Sequence, residues 1–425
     1  MRWKISVAVM SFLFLLLPHY AGAQVAIEKW IRTYDGAVHG NDKVIAVSLD
    51  PWGNVYVTGT SWGENSDYAT IKYDTNGNQL WVKRYDNGYW AMPDVPSALV
   101  VDSFGNVYVT GTTATLKYDT NGNELWVKDG GNAIAVDFSG NIYVAKSSIG
   151  PSGGNDYATI KYDANGNEVW VKWYGGLWSD YPFGLALDTS GNICVTGYSD
   201  SSSGGFDFAT VKYDPNGNEL WARRYDGGFE DRPAALLVDS SGNIYIAGRS
   251  ENAGGWNDYT TIKYDTNGNE QWIRNYDAGY GYEDLAEAIM VDATGNVYVT
   301  GSSDNSNRVA NIVTVKYDVN GSLQWTTRYD SGNNGEKPSA MAMDVDSGIY
   351  ITGRIQPVNM PTNVVTIKYD TGGNEKWVRT FDGGSADESS DIAVDAAGAV
   401  YVTGTTYSDI GGYDYLTMKY TQKGR

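Results

Sequence analysis

The sequence holds one cysteine, Cys194, and two histidines, His19 and His39. A single cysteine excludes an intramolecular disulfide and any cysteine-based metal site. With so few histidines, a histidine metal cluster is excluded too. A Ser-His-Asp site would have to use His39, in Ala37-Val-His39-Gly-Asn, and no nucleophile elbow accompanies it. Basic residues are also scarce. Lys and Arg number 31 against 51 Asp and Glu, a net charge of −20. Phosphate binding needs clustered Lys and Arg, so nucleic acid and anionic membranes are not expected as partners.

Long apolar runs are absent beyond the N-terminus. The one apolar stretch, Ile5 to Leu17, is interrupted only by Ser6 and Ser11 and is too short to span a bilayer comfortably. Arg2 and Lys4 precede it, and Ala21-Gly22-Ala23 follows. That order predicts a secretory signal over residues 1–23 and a mature chain from Gln24. Losing Arg2 and Lys4 would take the net charge from −20 to −22. The residue directly after the cleavage point is Gln24 and not cysteine, so no lipid anchor is expected there. An exported chain without disulfides must draw its stability from buried area.

What the sequence does have is aromatics and glycine, with 33 Tyr, 15 Trp and 51 Gly. That mix suits short strands joined by tight turns. Three markers recur in fixed order. An Asp-x-x-Gly turn begins at Asp50, Asp102, Asp137, Asp188, Asp239, Asp292 and Asp395, and more loosely near Asp344. A Thr-x-Lys-Tyr strand ends at Tyr73, Tyr118, Tyr162, Tyr213, Tyr264, Tyr317, Tyr369 and Tyr420. A tryptophan strand is centred on Trp30, Trp81, Trp126, Trp170, Trp221, Trp272, Trp325 and Trp377. Successive turn aspartates lie 51 to 53 residues apart, except for 35 between Asp102 and Asp137.

The unit 239–291 reads as four strands: Asn243 to Gly248, Tyr259 to Tyr264, Glu270 to Tyr276 and Ala286 to Val291. Between the second and third, Asp265-Thr-Asn-Gly268-Asn269 is a hairpin turn. Four strands per roughly 50 residues without helical periodicity describe a propeller blade. The last unit stops at Tyr420 without a tryptophan strand, and the first opens with a lone one, Glu28 to Tyr34. The N-terminal strand is therefore expected to complete the final blade, which removes two exposed edges. An open solenoid would need caps instead, and none is visible. The reading is an all-β chain, a single closed β-propeller over residues 24–425 with eight four-stranded blades. Seven blades plus an irregular insert after Asp102 is the alternative.

The run Val238-Asp-Ser-Ser-Gly-Asn243 followed by Ile244-Tyr-Ile-Ala-Gly248, and preceded by Tyr225-Asp-Gly-Gly228, resembles the SBBP beta-propeller repeat family. Asp395 to Thr405 fits the same pattern, and the resemblance covers essentially residues 28–420. It implies a propeller, seven blades by the family's name, in an exported bacterial protein. A fainter similarity is to quinoprotein dehydrogenases, whose eight blades dock through an Asp, Gly and Trp pattern. Asp265, Gly268 and Trp272 look alike, with one residue fewer between Asp and Trp. The vicinal cysteines of many such enzymes have no counterpart here, so the tryptophans are read as blade packing.

Alternating strands place the two short aspartate turns on one face of the ring and the long, varied connections on the other. Ligand contacts are expected among the variable loops. Trp90, Trp178, Tyr181, Phe229, Tyr280 and Tyr282 precede the first strand of successive blades, and Trp256 lies in another loop on that face. They suit stacking on a sugar or gripping a peptide, or else they cap the blade core. An acidic residue stands eight positions before each turn aspartate: Asp42, Asp94, Asp129, Asp180, Asp231, Asp284, Glu336 and Asp387. Such a circle is either a cation funnel or a set of carboxylates holding loop N–H groups, and recurrence in every unit favours the second. The lysines of Thr-x-Lys-Tyr and the basic residues after each tryptophan are read as architecture. Cys194 occupies a repeat tyrosine position and is read as a packing residue.

Catalysis is left with carboxylates. Glu230 with Asp231 and Glu283 with Asp284 are the least repetitive acidic pairs. The expectation is an exported, non-enzymatic scaffold, periplasmic, cell-surface or extracellular, that recognises a protein or glycan through its long-loop face. A carboxylate-dependent glycan hydrolase or lyase is the alternative. No cofactor is expected, with calcium at the acidic circle kept open.

Overall fold

The computed structural model describes residues 24–423, except 37, 64, 90–91, 152, 177, 201–203, 333 and 409–411. Residues 1–23, the expected signal segment, and Trp90 lie outside the described residues. Thirty-two strands form eight antiparallel sheets of four, with no helix among the described residues. The first blade shows the plan: Lys43–Leu49, Val55–Trp62, Ser66–Tyr73 and Gln79–Tyr85, paired in chain order. Alternation sets the burial. In the second and third strands nearly every residue is buried, because each sheet is sandwiched between two neighbouring blades. The outermost strand is half exposed.

The eighth sheet closes the ring. Val25–Tyr34 pairs antiparallel with Gly412–Lys423, which is followed inward by Val400–Ser408 and Asp387–Val394. Tyr34 pairs with Tyr415 and Val25 with Lys423. The first strands of all blades form the inner wall, each beside the next. The seam is tied like any other junction: Val47 N donates to Asp391 Oδ2 at 2.9 Å, and Ser390 Oγ to Val44 O at 2.8 Å. Trp30, from the chain's start, packs with Val44, Tyr73, Tyr401 and Tyr415 from both sides of the seam.

The short unit is a complete blade: Pro96–Val101, Val107–Gly111, Ala114–Tyr118 and Glu124–Asp129. Only Thr112 and Thr113 join its second and third strands. The count is therefore eight, and the seven-blade alternative falls. The hairpins that build the short turns and those that carry the long loops emerge on opposite faces, as the alternation requires.

Candidate functional site

The repeated polar residues are consumed in joining blades. Trp30, Trp81, Trp170, Trp221, Trp272 and Trp325 each donate the indole N–H to a carbonyl in the hairpin turn of the next blade, at 3.1 to 3.3 Å. The turn glycine lies flat on that indole. A Cβ on Gly268, which has φ +77°, would stand 2.6 Å from the Trp221 ring, so only glycine fits. The Thr-x-Lys-Tyr lysines reach the same turns. Lys72 meets Thr120 O at 3.0 Å, Lys263 meets Val319 O at 3.1 Å, and Lys419 crosses the seam to Thr75 O at 2.9 Å. In seven blades the ammonium also lies about 5 Å over a second-strand tyrosine ring, as Lys72 over Tyr56.

Cys194 takes that tyrosine's place in the fourth blade. Elsewhere the tyrosine hydroxyl donates to the turn aspartate, as Tyr56 to Asp50 at 3.0 Å. With no hydroxyl there, Lys212 approaches Asp188 to 2.9 Å, both buried; against the upward push of burial, the Asn192 amide and then Lys212 hold that carboxyl below its ordinary value. The Cys194 thiol is fully buried, and burial pushes its pKa up to about 12. No thiolate nucleophile is available there.

Seven members of the acidic circle are likewise committed. Asp42, Asp94, Asp180, Asp231, Asp284, Glu336 and Asp387 are all 2% exposed or less. Each accepts from an N–H of the loop before it: Gly36 to Asp42, Asn87 to Asp94 at 2.9 Å, Gly176 to Asp180 at 3.0 Å, Gly227 to Asp231 at 2.6 Å, Ala278 to Asp284 at 2.9 Å, Ser331 to Glu336 at 3.2 Å and Gly383 to Asp387 at 2.6 Å. The open funnel is thus not formed by these residues. Asp129 is a correction. It ends an outer strand in the register of Arg84, is 81% exposed in its side chain and pairs with Lys146 at 3.2 Å. The clipped loop shifts the eight-residue spacing onto a different structural position.

Of the acidic pairs, Glu230 meets Arg232 at 2.9 Å and Glu283 accepts from Asn257 Nδ2 at 2.8 Å. Burial pushes Asp231 and Asp284 up to about 6, a range suited to general acids. Neither is exposed, so substrate would have to displace the loop each one holds.

The aromatic positions separate into two groups. Trp178, Phe229 and Tyr280 stand exposed at the loop tips. The others form two clusters at adjacent junctions. In one, Tyr181, Tyr198 and Phe206 of the fourth blade meet at centroid distances of 5.1 to 6.2 Å, with Arg232 of the fifth about 5 Å above Tyr198 and Phe206. In the other, Trp256 and Tyr282 meet edge to face at 5.7 Å, with Arg308 of the sixth blade 4.5 Å over Tyr282. Arg308 adopts φ +61° at the turn position that Gly255 fills in the fifth blade, a left-handed conformation costing about 1–2 kcal/mol for a residue with a side chain. Arg232 and Arg308 escaped the sequence reading because they reach the rings only across a blade boundary, and Tyr198 and Phe206 because strand pairing within the fourth blade brings them beside Tyr181.

A third feature was overlooked although its signal is repetitive. Among the described residues, a carboxylate on the third strand, one after the outer strand and one of the acidic circle converge at four junctions: Asp35, Asp42 and Asp414; Asp67, Asp86 and Asp94; Asp207, Asp226 and Asp231; Asp258, Asp277 and Asp284. In each group the facing oxygens lie within 4.8 Å of one another. The Asp-Tyr or Asp-Phe pair that opens the third strand and the Tyr-Asp pair that closes the outer one recur in the sequence.

Comparison with known proteins agrees with this architecture. The SBBP beta-propeller repeat matches residues 94–115 and 169–205. The regulatory protein FlaEY of Caulobacter vibrioides is 30% identical over 147 residues, which cover 28% of this chain and 15% of FlaEY. The chain thus spans only 15% of the length of that curated relative. Among solved structures, the Pan2 WD40 domain of Neurospora crassa has a TM-score of 0.51 at 11% identity, covering 79% of this chain and 94% of that one. A puromycin hydrolase mutant complexed with PGG has a TM-score of 0.50 at 12% identity, covering 87% and 60%. At such identities the likeness is one of fold. By its closed ring of eight four-stranded blades the chain is a β-propeller, and two of its segments match the SBBP beta-propeller repeat.

Proposed function

We propose that this protein is an exported binding scaffold that grips a protein or glycan on its long-loop face, centred on the fourth to sixth blades. One observation carries the reading: two arginine-capped aromatic clusters stand at neighbouring junctions, flanked by exposed Trp178, Phe229 and Tyr280. A comparable cap stands at the seam, where Lys43 lies 5.0 Å over Tyr413 and Tyr413 meets Tyr407 edge to face; the fourth to sixth blades are distinguished by carrying two such caps side by side. Aromatic faces beside arginines and amides offer stacking and directional hydrogen bonds to a sugar or a peptide. The commitment of the acidic circle to loop amides also favours binding over catalysis.

The test is a glycan array and a pull-down with the purified protein, repeated with Trp256→Ala and Tyr198→Ala. Each variant should weaken binding by about tenfold or more. Trp52→Ala, on the opposite face and 61% exposed, should leave it unchanged. Equal loss from all three, or retention by the two cluster variants, overturns the assignment of the face. Cleavage of a bound glycan would instead favour the hydrolase or lyase reading, with Asp231 and Asp284 as the first residues to replace.

A further inference from the structure

We propose that the inner wall of the ring, from the fifth to the seventh blade, binds a glycan through an acidic sugar, with Arg249 and Lys337 taking its carboxylate and Glu287 a neighbouring hydroxyl. The site rests on the binding-scaffold reading above and gives the long-loop face a ligand class. Glu287 is the extra residue of the bulge that shifts the inner strand of the sixth blade between Ala286 and Ala288. A bulge re-aims the side chain it carries. The Oε2 atom of Glu287 is buried and meets no hydrogen-bond donor.

The fold does not call for an acid at this position. The same bulge carries Ile45, Ser97, Phe183, Ala234, Ser339 and Ser390 in other blades. Two of those serines find partners in the next blade: Ser97 Oγ donates to Gly131 O and Ser390 Oγ to Val44 O, both at 2.8 Å. Apolar and hydroxyl side chains therefore satisfy the architecture. A buried carboxyl oxygen without a donor costs stability. Such a group in one blade, where its counterparts are neutral, is the mark of a site and not of a joint.

Two cations flank Glu287. The charges that act on it are those of Lys337 in the seventh blade and Arg249 in the fifth. Each stands opposite a second basic residue of its own sheet, Arg249 opposite Arg232 and Lys337 opposite Arg354. Those second residues are already paired, Arg232 with Glu230 at 2.9 Å and Arg354 with Glu388. Arg249 and Lys337 close no hydrogen bond or ion pair among the described residues, with Glu287 or with any other group. Asp304, at the end of the sixth blade's second strand, feels Lys337 without bonding it.

The unmet chemistry defines the ligand. A guanidinium and an ammonium call for anionic oxygens. Burial pushes Glu287 up to about 8, so at neutral pH its carboxyl keeps a proton and both donates and accepts. A sugar hydroxyl does the same. One uronic-acid ring holds a carboxylate beside its hydroxyls and so answers all three residues at once. The side chain of an acidic peptide answers only the two cations. The net charge of −20 opposes a continuous polyanion, which leaves a glycan whose acidic sugars are isolated. The junction of the fifth and sixth blades also carries Trp256 and Tyr282, whose rings offer stacking to a neighbouring sugar.

The test is calorimetric titration of the purified protein with three probes: an oligosaccharide ending in glucuronate, the same oligosaccharide ending in glucose, and a glutamate-rich peptide. The glucuronate form should bind about tenfold or more tightly than either of the others. Arg249→Ala and Lys337→Ala should each remove about tenfold of that affinity. Glu287→Ser, which installs the residue of the second, seventh and eighth blades, should weaken binding about tenfold while Tm holds or rises. No binding of the glucuronate form, equal affinity for the glucose form, tighter binding of the peptide, indifference to Arg249 and Lys337, or a fall in Tm for Glu287→Ser would each overturn the proposal. If neutral glycans or proteins bind instead, and Trp256→Ala and Tyr198→Ala weaken them, the scaffold reading stands while the acidic-sugar site fails.

Discussion

Replacing Trp30 by alanine tests whether the ring closes. Trp30 sits on a terminal strand, 7% exposed. It donates to Thr75 O at 3.2 Å, lies under Gly77 and packs against Tyr73 and Tyr401 with centroids at 6.2 Å. Removing a buried tryptophan costs about 3–5 kcal/mol. Trp272 is its equivalent in the middle of the ring, 6% exposed, bonded to Val319 O at 3.1 Å and packed on Tyr317. In a closed ring the seam is a junction like any other, so the two substitutions should cost the same. With an unfolding entropy of about 2.1 cal/mol/K per residue over roughly 400 residues, a loss of about 4 kcal/mol lowers Tm by about 5 °C. Urea unfolding of both variants, with m unchanged, gives the same comparison at constant temperature. A terminal strand that frayed from an open array would lose almost nothing. If Trp30→Ala lowers Tm by less than about 1 °C while Trp272→Ala lowers it by about 5 °C, closure through the opening strand is refuted.

Two further outcomes are expected. Lys212→Met removes the partner of buried Asp188, 2.9 Å away, and should cost about 3–5 kcal/mol; Lys316→Met, whose partly exposed ammonium donates to Thr371 O at 2.9 Å, should cost at most about 1.5 kcal/mol, and denaturant midpoints that order the two the other way would contradict the role given to Cys194. The protein should gain stability as the pH falls from 7 towards 5, because burial raises Asp231, Asp284 and Asp414 to about 6 and Glu287 to about 8, so their ionised forms oppose folding above those values. Below about pH 4 it should lose stability, because Asp74, Asp163 and Asp214 are held below their ordinary value by the amides of Asn78, Asn167 and Asn218, and that contribution disappears as they protonate; a Tm that falls steadily from pH 7 to 5 would show the buried acids to be ionised without penalty.

Most of the fold is legible in the sequence because it rests on local rules repeated eight times. Asp-x-x-Gly turns, alternating strands and the Thr-x-Lys-Tyr motif each act within a few residues, and repetition makes the pattern unmistakable. The lone Trp30 strand at one end and the missing strand at the other disclose closure for the same reason. The candidate site was less legible. Tyr181, Trp256 and Tyr282 stood out as aromatics in variable loops, yet their partners Arg232 and Arg308 belong to the following blade. Asp129 shows where spacing misleads: the count of eight residues holds, but a clipped loop puts the carboxylate on an outer strand facing solvent.

The sequence by itself determined the blade, its number of strands and the way the ends meet, since hydrogen bonding and side-chain alternation operate over neighbouring residues. Only the tertiary structure decided what happens between blades. Whether three carboxylates share a point, whether an arginine neutralises them, and which rings a guanidinium covers all depend on residues distant in the chain, Asp35 and Asp414 being 379 positions apart. Those distances are set by the rotation from one sheet to the next, which no local pattern encodes.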